Sequence, residues 1–227
     1  MLRIFIGYDS REPVAYHTLA HSIITRATVP VSIAPVARHL VHGAFTRLRG
    51  PLESTDFSLS RFLVPYLVDY RGWAIFMDCD MLCLADVAEL MGHVRQPLGK
   101  AVFVCPHDYT PKQMTKFLGQ TQTVYPRKNW SSLMVFWAGH TACQRLTLEY
   151  VNQASPLDLH RFAWVSDEGQ IGTLPLEWNY LVGEPNQAQE PPKLVHFTNG
   201  GPWFEEYRDC EYADRWRAEQ QRMVGVG

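Results

Sequence analysis

The sequence predicts an α/β protein, a sheet flanked by helices on both faces, and three observations predict it. Short apolar runs rich in β-branched residues alternate with stretches whose apolar residues recur at helical spacing. Turn residues separate the two kinds of segment, and no repeat, low-complexity tract or linker interrupts the alternation. At 227 residues, 46% hydrophobic and 19% charged, the chain has an ordinary globular makeup and enough length for a substantial core.

The chain opens on a strand, Leu2-Arg-Ile-Phe-Ile-Gly7. The turn Tyr8-Asp9-Ser10-Arg11-Glu12-Pro13 leads into a helix over 14–25, with Pro13 suited to the first turn. A second strand covers 31–36, and the polar stretch 38–57, with Gly43, Gly50 and Pro51, is a surface loop. A helix over 59–70 follows, kinked at Pro65. The strand 73–77 ends on Asp78 and Asp80, with a short apolar helix after them. A strand at 101–105 precedes a surface excursion with a helical patch over 109–124. A buried strand 131–137, a helix 141–152, a short helix within 167–174, a strand 194–197 and a polar terminal helix 204–223 complete the order.

The segment Ile75-Phe-Met-Asp78-Cys-Asp80 carries the chemistry. An apolar strand is a costly place to end on two negative charges, and a divalent cation is the usual counter-charge. Two residues apart on extended chain, the side chains point the same way. The plain alternative is a turn with Asx hydrogen bonds.

Composition excludes several classes. A net charge of −2 provides no basic field for nucleic acid. Arg outnumbers Lys sixteen to five, which suits bidentate phosphate contacts but equally reflects genome base composition. Five cysteines, an odd number without a Cys-x-x-Cys pair, argue against a disulfide framework and for a reducing cytoplasm. Cys79, Cys83, Cys105 and His107 resemble zinc motifs poorly. No secretory signal and no apolar run near the ~20 residues of a spanning helix are visible, so a membrane substrate would be met peripherally, from the cytoplasmic side. Trp130, Trp137, Trp164, Trp178 and Trp203 invite a sugar-stacking role, but most tryptophans are core residues.

Four segments in order resemble the GT-A glycosyltransferases, and among them bacterial glycosyltransferase family 8. They are Ile4-Phe-Ile-Gly7-Tyr8-Asp9, then Ser58-Leu-Ser-Arg61-Phe-Leu-Val-Pro65-Tyr66 leading to Asp78-Cys-Asp80, then Asn129-Trp-Ser131-Ser132 with Ser166-Asp167-Glu168, and finally Leu194-Val-His196-Phe-Thr-Asn-Gly200-Gly201-Pro202-Trp203. The resemblance implies a Rossmann-like, mixed, mainly parallel sheet in a single domain over 1–227. Residues 1–105 would form the nucleotide- and metal-binding half, and 106–227 the acceptor-side half with the C-terminal helix. It implies a hexosyltransferase that moves a sugar from a nucleotide-sugar, a UDP-sugar by preference, to a hydroxyl of a saccharide, lipid-linked or protein acceptor, with retention.

In that resemblance Asp78, Asp80 and His196 hold Mn²⁺ or Mg²⁺, and nitrogen ligation favours Mn²⁺. Gly7, Tyr8 and Asp9 meet the base, against the plain reading that Asp9 only caps a helix. Arg61 reaches the diphosphate or the sugar, against a structural ion pair with Asp56 or Asp69. Asn129 and Ser131 bond donor-sugar hydroxyls, while Gly200, Gly201 and Trp203 form the phosphate turn. Asp167 and Glu168 stand near the anomeric carbon, although a helix cap explains them equally well. One departure is a missing lysine before Pro202-Trp203, whose charge Arg11, Arg61 or Lys193 would replace. Two rival readings are a haloacid-dehalogenase-type phosphatase with Asp78 as nucleophile and a non-catalytic nucleotide- or carbohydrate-binding module.

Overall fold

A computed structural model describes residues 1–50, 53–94, 99–108, 110, 117–119, 126–185 and 188–225. Six strands form the main sheet: β1 (Leu2–Tyr8), β2 (Val31–Ala37), β3 (Trp73–Met77), β5 (Val102–Val104), β6 (Leu133–Trp137) and β7 (Ile171–Thr173). Their order is β2-β1-β3-β6-β5-β7. Only β6 pairs antiparallel with its neighbours β3 and β5, so five strands run one way and the sheet is mainly parallel. Strands β3, β5 and β6 are buried along almost their whole length, which is why they read as unbroken apolar runs rather than alternating ones.

A second, three-stranded sheet joins β4 (Met81–Cys83), β9 (Leu194–His196) and β8 (Tyr180–Leu181) in the order β4-β9-β8. Helix α1 (Pro13–Arg26) has proline in its first turn and buries Ala15, Leu19 and Ile23, an i, i+4, i+8 stripe. Its far end meets α7 (Ala213–Met223), which buries Trp216 and Glu219.

Several elements differ from the sequence expectation. The 59–70 segment is a 3₁₀ turn, Ser60–Leu63, followed by α2 (Val64–Leu67), and Pro65 starts that helix rather than kinking a longer one. Strand β4 intervenes before α3 (Val87–Gly92), whose N-cap is Asp86, accepting from the Ala88 N–H. The 141–152 helix is split into α4 (Thr141–Gln144) and α5 (Leu148–Gln153), because Thr147 caps a new start by accepting from the Tyr150 N–H. An unforeseen α6 (Pro156–His160) is capped by Ser155. The 167–174 helix is a single 3₁₀ turn followed by β7, where a Cβ on Gly172 would lie 2.3 Å from the Phe103 ring. The terminal helix is confined to 213–223 after a 3₁₀ turn at Glu205–Tyr207. The expected excursion over 109–124 lies largely outside the described residues.

Strand direction decides which residues meet. Tyr8, Asp78 and Cys105 leave β1, β3 and β5 at one edge, and β6 runs the other way, so Asn129 to Ser132 reach the same edge. Because β7 runs with β5, Asp167 and Glu168 precede it at the opposite edge, where the Gln170 carbonyl accepts from the Ala101 N–H. The two edges are separated by β3, roughly 13 Å at 3.3 Å per residue.

Candidate active site

Two strand pairings bring Asp78, Asp80 and His196 together. The Asp78 N–H donates to the Ser132 carbonyl at 2.9 Å, extending the β3–β6 ladder by one residue. In the second sheet Met81 stands opposite His196, and the Phe197 N–H donates to the Asp80 carbonyl at 2.8 Å. One ligand atom from each of the three side chains falls within 4.8 Å of the others, and His196 Nε2 lies 3.3 Å from Asp80 Oδ1. Asp80 is 8% and His196 1% exposed. Among the described residues this is the group of His, Cys, Asp and Glu with the geometry to hold a metal ion. Cys79, Cys83, Cys105 and His107 do not assemble into a zinc site, and burial pushes the Cys83 thiol up to about 12.

Arg61 closes one side. Its Nη1 lies 2.7 Å from Asp78 Oδ1, so its carboxylate partner is Asp78 rather than Asp56 or Asp69. Nε donates to the Ser58 carbonyl and Nη1 to the Ser131 carbonyl, and the guanidinium stacks over Phe57 and Phe76 at 5.3 and 5.0 Å. A side chain so held, 5% exposed, orients Asp78 with little freedom of its own.

Glu12, which sequence reading took for part of a helix-initiating turn, is a member of the same cluster. It is 1% exposed, accepts from Trp203 Nε1 at 3.2 Å and receives the Cys79 Sγ–H at 3.7 Å. Burial first, then the negative charges of Asp80 and Asp9, hold its carboxyl well above the usual range. Cys79 is raised by burial and by Glu12, Asp80, Asp78 and Asp9. Both groups are raised by burial and by the same carboxylates, Asp80 and Asp9, which make the field at this edge negative. Two carboxylates and an imidazole, buried in that field, form a donor set that fits a divalent cation of the Mn²⁺ kind.

The base side is built around Asp9, which is fully buried. Burial alone would raise its carboxyl, yet the Arg11 guanidinium at 2.5 Å and the backbone N–H groups of Arg11 and Asp56 hold it below the ordinary value. Next to it Tyr8, Ser10, Arg38, His39, Arg47 and Asp56 line a pocket of about 810 Å³ beyond the ends of β1 and β2. At Gly7 a Cβ would meet the Phe57 ring at 2.3 Å, so glycine there makes room for Phe57.

The remaining expected residues divide. Asn129, at φ 61°, donates from Nδ2 to Thr198 Oγ1 at 3.1 Å and so bridges the 3₁₀ turn before β6 to the loop after His196. Ser131 Oγ is 2.8 Å from His160 Nδ1, and burial first, then the charges of Arg61 and Lys128, hold that imidazole down at about 3. Gly200 has φ 141°, and a side chain on Gly200 or Gly201 would strike the rings of Tyr207 or Trp203. Trp203 packs on Trp216 at 5.1 Å. Asp167 and Glu168 precede β7 and lie outside the Asp78, Asp80 and His196 group. Asp167 caps the 3₁₀ turn through the Gly169 N–H, and Glu168 pairs with Arg127. Of the cations proposed for the missing lysine, Lys193 pairs with Glu89 at 2.8 Å, while Arg11 and Arg61 already hold Asp9 and Asp78. Sequence reasoning also missed Asn179 and His160, each a single residue in an apolar stretch with no motif around it.

No family model matches the chain. Protein CDI of Arabidopsis thaliana is 48% identical over 225 residues, which cover 96% of this chain and 86% of that protein. Among solved structures, the bifunctional glycosyltransferase WbbM is similar with a TM-score of 0.66 at 15% identity; the match covers 99% of this chain, which spans about half (51%) of that one. LgtC, 13% identical with a TM-score of 0.62, matches over 99% of this chain and 95% of its own. GlyE of Streptococcus pneumoniae, 10% identical with a TM-score of 0.63, matches over 99% and 62%. At these identities the likeness is one of fold, and that fold is GT-A.

Proposed function

The chain belongs to the family of Arabidopsis thaliana Protein CDI, and we propose that it is a metal-dependent glycosyltransferase that moves a sugar from a nucleotide-sugar, a UDP-sugar by preference, to an acceptor hydroxyl. The observation that carries this reading is the Asp78, Asp80 and His196 cluster, set in a negative field at the edge where ligands bind in sheets of this kind. A divalent cation held there supplies the positive charge that stabilises a departing diphosphate.

The chain's own residues do the rest. Arg61 fixes Asp78 and places a guanidinium beside the phosphates. The pocket beyond β1 and β2 is of nucleoside size, and Tyr8 presents a ring to a base there, while the Asp9–Arg11 pair braces its wall from behind through the Asp56 N–H. We assign Asn129 and Ser131 to the sugar side and the Gly200-Gly201 turn, which is glycine because the Tyr207 and Trp203 rings fill its Cβ positions, to the phosphate side. The GT-A fold and the clamp of Arg61 on Asp78 speak against a phosphatase with Asp78 as nucleophile.

The test is thermal stability with UDP, GDP, CMP and ADP, each with and without Mn²⁺. A nucleotide at 100 times its dissociation constant adds about 2.7 kcal/mol. One nucleotide should stabilise only with Mn²⁺, and Asp80→Ala should remove the effect. No shift with any nucleotide and metal overturns the reading, and binding without sugar transfer across a donor screen marks a binding module instead.

A further inference from the structure

Asn179 is fully buried, and its amide has one possible orientation. Nδ2 lies 3.2 Å from the Asn129 carbonyl, which only accepts, so the atom facing it is a donor. Nδ2 also lies 2.9 Å from Ser132 Oγ, whose own proton goes to the same Asn129 carbonyl at 2.7 Å. Turning the amide over would set oxygen against two acceptors in a dry site. Oδ1 therefore faces His196 Nδ1, 2.9 Å away, and accepts a proton from it. With the proton on Nδ1, a neutral imidazole carries its lone pair on Nε2, which points at Asp80 Oδ1 across 3.3 Å. That gap is longer than a charge-assisted N–H···O bond of about 2.7–2.9 Å.

We infer that Asn179 is a positioning residue that locks His196 in the Nδ1–H tautomer and keeps Nε2 available as a metal ligand. The inference rests on the metal reading above. It also explains why the 129–132 turn, Asn179 and the 196–198 segment form one hydrogen-bonded unit: the ligand's protonation state is set by the turn that bears the proposed sugar contacts.

The test combines nitrogen NMR of the histidine rings in the metal-free full chain, at about pH 8.5 and above the ordinary histidine range, with calorimetric titration of Mn²⁺. The wild type should show His196 protonated on Nδ1 only. Asn179→Ala should lose that preference and bind Mn²⁺ roughly 10- to 100-fold more weakly. A proton on wild-type Nε2, or unchanged Mn²⁺ affinity in Asn179→Ala, would overturn the inference. Should Asn179→Ala fail to fold, the wild-type spectrum still decides. An Nδ1–H tautomer in a wild type that binds no Mn²⁺ would sink the metal reading while leaving the positioning role intact.

Discussion

Two buried carboxylate clusters lie at the two ends of α1, and they handle charge in opposite ways. At its far end Glu219 of α7 is fully buried but surrounded by hydrogen-bond partners: the guanidinium groups of Arg26 at 2.7 Å and Arg222 at 2.5 Å, and the His21 ring at 2.7 Å. Burial alone would raise its carboxyl, yet hydrogen bonds from Arg26, Arg222 and His21 hold it down at about 2. At the near end Glu12, Asp78 and Asp80 gather around one strand end, and Glu12 is pushed up by burial and by its acidic neighbours. The protein closes the first cluster with its own side chains, and that cluster docks a helix. In the second, Arg61 reaches Asp78 at 2.7 Å while Glu12 stays raised by burial and by Asp80 and Asp9, the environment that the proposed divalent cation would complete.

Substitutions separate the two. The largest effect is expected from Asp80→Ala, which should weaken Mn²⁺-dependent nucleotide binding by more than about 100-fold, since even outer-shell partners are worth about 10- to 100-fold. The same change should leave the metal-free protein equally stable or slightly more so, because it removes a charge that opposes Glu12. A clear loss of metal-free stability would show that the near cluster is structural after all. Next, Glu219→Ala leaves Arg26 and Arg222 facing a void and should cost roughly 2–4 kcal/mol in urea unfolding. Its nucleotide affinity should stay unchanged, and a fall in affinity would erase the contrast.

Acid sharpens the comparison further. A carboxyl depressed to about 2 contributes stability above the ordinary glutamate value near 4.5. That contribution drains away as pH falls from there toward 2, so the stability gap between wild type and Glu219→Gln should close over that window. The smallest effect belongs to Glu12→Gln in acid, below the ordinary glutamate value near 4.5, where both side chains are neutral and the two proteins should agree within about 0.5 kcal/mol. Its sign is reversed: a raised carboxyl stabilises below its unfolded value, and the contribution fades as pH rises through the folded one. Wild type should therefore lose stability toward alkaline pH faster than Glu12→Gln, and parallel curves would contradict the negative field.

The sequence carried the α/β order and the aspartate pair because both are local: strand periodicity, a proline in a first turn and Asp-x-Asp spacing lie within a few residues. His196 needed the family resemblance, since the register that sets Met81 opposite it joins segments more than a hundred residues apart. Glu12 was hidden by position, as an acid before Pro13 reads as ordinary helix-start chemistry. Asn179 had no local signal at all, because its partners lie 17, 47 and 50 residues away. Asp167 and Glu168 were ambiguous for the converse reason. A capped turn and an acidic pair look alike in sequence, and only the direction of β7 places them at the other edge.

The most direct measurement is anomalous diffraction at the manganese edge from crystals of the full chain grown with UDP and Mn²⁺. The account predicts one strong peak bounded by Asp78, Asp80 and His196 Nε2, with the diphosphate against it and the base in the pocket lined by Tyr8. Manganese bound elsewhere, or UDP bound with no peak between those three side chains, would contradict it.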